Sequence, residues 1–154
     1  MRSIIVYYSR TGTTKKLGEA IAKALSSSTL EIIDMKNRSG PLGYLTGGKD
    51  AVTRKLTPIK PVNEDLSKYD LVVVGTPVWA SNMAPAIRTI LTEKKGSIKN
   101  TAFFCTAGEE NAGKTFSEMQ ELTSAPIATL QLTTNEVKGD KYFEKLEEFL
   151  KKLK

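Results

Sequence analysis

Residues 108–115, GEENAGKT, match at every fixed position the glycine-rich pattern whose backbone amides cradle the phosphates of a nucleoside triphosphate. An apolar run, KNTAFFCTA, precedes the match and a helical pattern, TFSEMQEL, follows it, which is the context that motif demands. Two further segments carry residues suited to ligand chemistry. SRTGTTKK (9–16) sets the hydroxyls of Ser9, Thr11, Thr13 and Thr14 around Gly12, just ahead of a helical pattern. Free amides and the dipole at a helix N-terminus form an anion site. A helix cap needs one hydroxyl and this loop supplies four, so a phosphate monoester is the ligand it suits. GTPVWASNMAP (75–85) runs from an apolar stretch into a loop holding the only tryptophan, Trp79. Such an indole either stacks on a flat ligand ring or folds back on the core.

The triphosphate reading meets two objections. Glu109 and Glu110 bring negative charge to a loop meant to offset it. A triphosphate loop also follows the first strand, with an aspartate ending another strand to help hold magnesium. Here the match follows the fourth apolar run, and neither LVVVGT nor IATLQL ends in aspartate. A second near-match, GYLTGGKD (43–50), shows how cheaply the pattern arises. With no histidine and one cysteine, Cys105, neither a zinc site nor a Ser-His-Asp triad is expected, and no internal disulfide can form. Catalysis would have to come from a bound cofactor, or from carboxylates, hydroxyls and amides. Cys105 is expected as a small core residue.

The elements that position these loops follow from periodicity. IIVYYS (4–9), TLEIIDM (29–35), DLVVVGT (70–76), NTAFFCTA (100–107) and IATLQL (127–132) read as strands. Helical patterns cover 13–26, about 85–95, about 115–122 and about 140–152. Alternating strands and helices predict one domain, 1–154, with a parallel sheet covered on both faces. In such sheets ligands bind beyond the carboxyl ends of the strands, where all three loops emerge. Residues 36–66 interrupt the alternation and read as a long glycine-rich loop with a short helix at about 49–56.

The net charge of +6 is concentrated there: 35–60 holds Lys36, Arg38, Lys49, Arg54, Lys55 and Lys60 against Asp50 alone. That is either a solvated loop or a steering surface for an anionic partner. Nothing in the chain interleaves aromatic and basic residues as a nucleic-acid platform would, and the C-terminal KKLK alternates with glutamates on one helix, so no nucleic-acid partner is expected. No apolar stretch approaches twenty residues, so no membrane span is expected. The start, MRSIIVYYSRTG, reads as a core strand and not a signal peptide, and a cytoplasmic location is expected.

VYYSRTGTTKKLGEAIA followed by VVVGTPVWASNMAPAIRTIL resembles the flavodoxin family, and TAGEENAGKTFSEM is similar to that family's third flavin loop. The resemblance spans nearly the whole chain. It implies a three-layer flavodoxin-like fold, with a five-stranded parallel sheet in order 2-1-3-4-5 and helices on both faces. It also implies non-covalently bound FMN cycling through oxidised, semiquinone and hydroquinone states, with no catalytic side chain and no metal. Carried over by residue, Ser9, Arg10, Thr11, Gly12, Thr13 and Thr14 would hold the phosphate. Thr76, Pro77, Val78 and Trp79 would meet the ribityl chain and ring, with Thr106, Ala107, Gly108 and Glu109 on the other side. Residues 106–115 hold no aromatic to cover the second ring face, which leaves Phe116 and Tyr44 as candidates. The first expectation is an electron carrier, docking acidic ferredoxin-like proteins or their oxidoreductases at 35–60. The alternative is an FMN-dependent NAD(P)H:quinone or flavin oxidoreductase, and the remote one a triphosphate-binding protein.

Overall fold

The computed structural model describes residues 1–108 and 111–154. Five parallel strands form the sheet: β1 (Ser3–Tyr7), β2 (Ser28–Glu31), β3 (Leu71–Trp79), β5 (Thr101–Ala107) and β6 (Thr129–Thr133). They lie in the order β2-β1-β3-β5-β6. The sequence reading gave five strands; among the described residues a sixth, antiparallel strand joins the sheet off this path. β4 (Asn82–Met83) turns back antiparallel on the end of β3, with Val78 facing Met83 and Trp79 facing Asn82. The turn between them places Ala80 at φ 48° and Ser81 at φ 64°. Two left-handed residues without a glycine are unusual, which is why the hairpin left no turn signal in the sequence.

Alternation along β1 feeds two cores, one on each face of the sheet. Ile5 and Tyr7 pack with Val73, Phe104 and Leu130 beneath α1 (Thr13–Leu25), α5 (Thr134–Lys138) and α6 (Phe143–Leu153). Ile4 and Val6 pack with Val72, Val74 and Phe103 beneath α3 (Pro85–Glu93) and α4 (Gly113–Leu122). This is the three-layer α/β arrangement that the resemblance implied. No helix among the described residues is long and apolar enough to cross a membrane.

Three further segments depart from expectation. β2 ends at Glu31, four residues early; beyond it the chain is held by Ile32 N–H donating to the Tyr7 carbonyl at 2.7 Å and by an Asp34–Ile59 bridge. The long loop, expected with a short helix at about 49–56, instead contains a 13-residue helix that starts earlier, α2 (Gly40–Val52). Its glycines argue for a loop by propensity, yet tertiary packing needs two of them, Gly43 and Gly47. A Cβ at Gly43 would lie 2.2 Å from the Arg38 carbonyl carbon, and one at Gly47 would lie 2.9 Å from the Trp79 ring. Finally, α5 precedes the last helix, which starts at Phe143 instead of near 140. Thr133 and Glu136 close a reciprocal capping box there, a T-x-x-E signal that was present in the sequence.

Tyr7, Gly75, Phe104 and Leu130 stand side by side across the sheet. The Phe104 ring fills the space above Gly75, where a Cβ would meet it at 2.0 Å. Gly18 lets α1 descend on the same row, since a Cβ there would reach the Tyr7 ring at 2.9 Å. Gly75→Ala therefore overpacks the core, and we expect a loss of about 1–3 kcal/mol in denaturant unfolding. Adding Phe104→Leu should recover part of that loss, the two changes being coupled through one space. Simple additivity of the two would contradict this packing.

Candidate functional site

The parallel register brings the ends of β1, β3 and β5 level, so the loops that leave them share one edge. A cleft of about 260 Å³ forms there. Its lining takes Arg10, Thr11, Thr13 and Thr14 from the first loop, Pro77, Val78 and Trp79 from the second, and Thr106, Ala107 and Gly108 from the third. Thr134 and Tyr44 complete it. Sequence reasoning did not assign Thr134, whose hydroxyl donates to the Ala107 carbonyl at 3.2 Å.

Gly12 caps α1 at φ 97°, a conformation that favours glycine. Its N–H donates to Ser9 Oγ at 3.0 Å, so Ser9 shapes the loop and borders a neighbouring cavity instead of this cleft. Among the described residues no acceptor takes the amide hydrogens of Thr11, Thr13 or Thr14. The hydroxyls of Thr11 and Thr13 are equally without partners among the described residues. Unspent donors converging at a helix N-terminus are what an anion requires. Thr14 and Thr106 join their hydroxyls at 2.8 Å, which ties the first loop to the third.

Thr76 lies outside the cleft. It is fully buried, its hydroxyl accepting from Ala84 N–H at 3.0 Å and donating to the Pro77 carbonyl at 2.9 Å, so it steers the chain into α3. Glu109, with Glu110, falls outside the described residues. Trp79 borders the cleft with part of its ring; the rest is wedged between Tyr8, edge-on at 5.6 Å, and Gly47 of α2. Of the two aromatic candidates for the open face, Phe116 stacks on Phe103 within the core at 6.2 Å, whereas Tyr44 stands at the cleft. The triphosphate pattern is spent on packing. Thr115 is fully buried and its hydroxyl donates to the Ser81 carbonyl at 3.0 Å, which keeps it from a magnesium ion.

α2 reaches this edge through buried charge. The Arg38 guanidinium sits between Asp34 and Asp50, at 3.0 and 2.8 Å, with all three side chains enclosed. Thr57 donates to Asp34 at 2.8 Å and Lys36 to Asp50 at 2.8 Å. Burial pushes the Asp50 carboxyl upward, but the Lys36 and Arg38 hydrogen bonds more than reverse this and leave it below its ordinary value. Arg10 crosses from the first loop to donate to the Arg38 and Gly40 carbonyls at 2.7 and 3.1 Å. Arg54 pairs with Glu118 at 3.5 Å. The basic segment is thus partly neutralised: Lys36, Arg38 and Arg54 have acidic partners, and Lys49, Lys55 and Lys60 have none among the described residues.

The family model for NADPH-dependent FMN reductases matches residues 3–125. A flavoprotein from Lactobacillus acidophilus, crystallised with FMN, is 26% identical with a TM-score of 0.74, covering 92% of this chain and 97% of its own. The apo form of a flavoprotein from the same organism, solved by NMR, is 27% identical with a TM-score of 0.63, covering 92% and 96%. Oxidised flavodoxin 1 from Bacillus cereus, at 16% identity and a TM-score of 0.59 over 98% of each chain, shares the fold. No curated protein matches the chain.

Two outcomes follow from this geometry. Asp50→Ala leaves a buried guanidinium short of one counter-charge, and we expect a loss of about 3 kcal/mol in urea unfolding at neutral pH. Because the folded Asp50 value is depressed, its contribution is complete above the ordinary carboxylate value of 3.8 and is lost as pH falls through the folded one. Wild type and variant should therefore converge on acidification; a constant gap would refute the pairing. Burial pushes the Cys105 thiol up to about 12, so native protein should resist iodoacetamide at mildly alkaline pH and react only on unfolding.

Proposed function

Since the chain belongs to the NADPH-dependent FMN reductase family, we propose that it holds FMN in the edge cleft and passes reducing equivalents from a reduced nicotinamide nucleotide to a small acceptor. The observation that carries this reading is the convergence of the unspent amides of Thr11, Thr13 and Thr14 and the unspent hydroxyls of Thr11 and Thr13 with Trp79, Val78 and Thr106 in one cleft. The residues fit the cofactor. The first loop offers neutral donors and a helix dipole to a phosphate dianion, as a phosphate monoester needs. Val78 and the indole of Trp79 supply a dry wall for a flat ring. Bound FMN supplies two-electron chemistry that no side chain of this chain offers.

What the chain contributes is position and environment. Thr13 and Thr14 fix the phosphate end against the start of α1. The Thr14–Thr106 hydroxyl pair holds the first and third loops together around whatever lies between them. Trp79 and Val78 keep water from the second loop, strengthening each hydrogen bond in the cleft. An oxidoreductase is favoured over the electron carrier that small size first suggested. Family membership supports it, and the cations of 35–60 that would greet an acidic protein are half engaged within the chain.

Purified protein mixed with FMN and freed of excess should keep a flavin band that NADPH bleaches in the absence of oxygen. Thr13→Val removes one hydroxyl donor to a charged phosphate, worth about 1.5–3 kcal/mol. FMN affinity should then fall about 10- to 100-fold. Retained FMN that NADPH cannot reduce would return the protein to the carrier reading, and no retained FMN would sink both.

A further inference from the structure

A cavity of about 470 Å³ lies between the ends of β1 and β2, on the side of the first loop away from β3. It is larger than the cleft of about 260 Å³ and shares Arg10 and Thr11 with it, so the two spaces meet at the proposed phosphate loop. The volume lies within the range of small-ligand sites. A ligand held through a phosphate at this loop has room to continue into it.

Position is the first observation. Glu31 is the last residue of β2, about 20 residues after Gly12, and it borders the cavity. In doubly wound sheets an acid at this place accepts hydrogen bonds from the ribose of a dinucleotide. Glu31 has capacity to do so. Its side chain is 33% exposed, one carboxylate oxygen lies 3.3 Å from Lys15 Nζ, and the other accepts nothing among the described residues.

The second observation is what the wall has left to offer. Its cations are engaged: Arg38 with Asp34 and Asp50, Lys36 with Asp50, and Arg10 with two carbonyls and the face of Tyr44. Tyr8 is only 6% exposed, yet its hydroxyl has no partner among the described residues. Burial pushes this phenol up to about 12, so it keeps its proton to donate. Asn37 spends its side-chain oxygen on Ser39 and keeps its amide hydrogens. Ile33 adds apolar surface. Neutral donors, one carboxylate and an aliphatic wall suit ribose hydroxyls and an uncharged purine.

We propose that this cavity is an adenylate site, and that the chain binds FAD as well as FMN. The flavin half occupies the cleft, the pyrophosphate crosses the start of α1, and the adenosine lies beside Glu31 and Tyr8. The proposal rests on the reading of the cleft as the flavin site. Joining the two nucleotides leaves the flavin-side phosphate with one charge instead of two, which weakens its attraction to the helix N-terminus. Contacts made by the adenosine have to offset that loss.

The test titrates cofactor-free protein with FMN and with FAD in a calorimeter. FAD should bind at least as tightly as FMN. Glu31→Gln should weaken FAD about 5- to 20-fold, and Tyr8→Phe about 2- to 10-fold, the first losing a charged hydrogen bond and the second a neutral one. Both variants should keep the wild-type affinity for FMN and the wild-type unfolding midpoint, because the Lys15 pair is exposed and the Tyr8 hydroxyl is unpartnered. FAD binding that is weaker than FMN binding, or that neither variant changes, would overturn the adenylate site alone. Binding of 2′,5′-ADP to FMN-loaded protein, lost in Glu31→Gln, would overturn it as well by giving the cavity to the nicotinamide nucleotide. A protein that binds neither flavin would bring down this site and the flavin cleft together.

Discussion

The enclosed guanidinium of Arg38, between Asp34 and Asp50, is the contact on which the ligand edge depends. α2 is a poor helix by composition, with glycine at 40, 43, 47 and 48. Its position therefore comes from tertiary ties, and this triad is the tie with no solvent to loosen it. Removing water from three charges is unfavourable, and the arrangement holds because the partners satisfy one another and Thr57 closes the set. Arg10 then extends the same lattice, through two α2-end carbonyls, to the loop that would hold a phosphate. One consequence is geometric: Arg10 borders the cofactor cleft and the cavities beside it, and so links the anion loop, the indole and α2.

The rest of the edge is joined by hydroxyls. Thr14 meets Thr106, Thr115 meets the Ser81 carbonyl, and Thr134 meets the Ala107 carbonyl. Each link crosses between segments far apart in the chain. Neutral links of this kind would suit the dianion proposed for this cleft, because they fix the backbone without adding charge of either sign. The positive contribution is left to backbone amides and a helix end, whose strength does not vary with pH.

Much of this was legible in the sequence, and for identifiable reasons. The buried strands showed as unbroken apolar runs, and the first loop showed itself by carrying four hydroxyls where a cap needs one. Trp79 was read with two fates open, and it meets a little of each: part of the ring borders the cleft and the rest lies against Gly47 and Tyr8. What failed were inferences from composition. Glycines in 40–48 signalled a loop, since nothing local records that Gly47 leaves room for a ring 32 positions later. Six cations in 35–60 signalled a charged surface, since a count does not show that Arg38 and Arg54 have buried acidic partners. β4 was missed because Ala80 and Ser81 adopt backbone angles that ordinarily announce themselves with glycine. The triphosphate motif matched letter for letter, yet its threonine is spent on packing.

The strand order also governs when the site can exist during synthesis. β1 lies upstream of its partners, Ser3 pairing with Leu71 of β3, whose other neighbour begins at Thr101. A parallel strand placed centrally has to wait for partners encoded far downstream, and such long closures are slow. Thr14 finds its hydroxyl partner only once Thr106 has been made, and the Ala107 carbonyl only once Thr134 has. An emerging chain on the ribosome thus carries the proposed anion loop long before it has a cleft to put it in. The cleft is closed only when Thr134 has joined the residues that precede it.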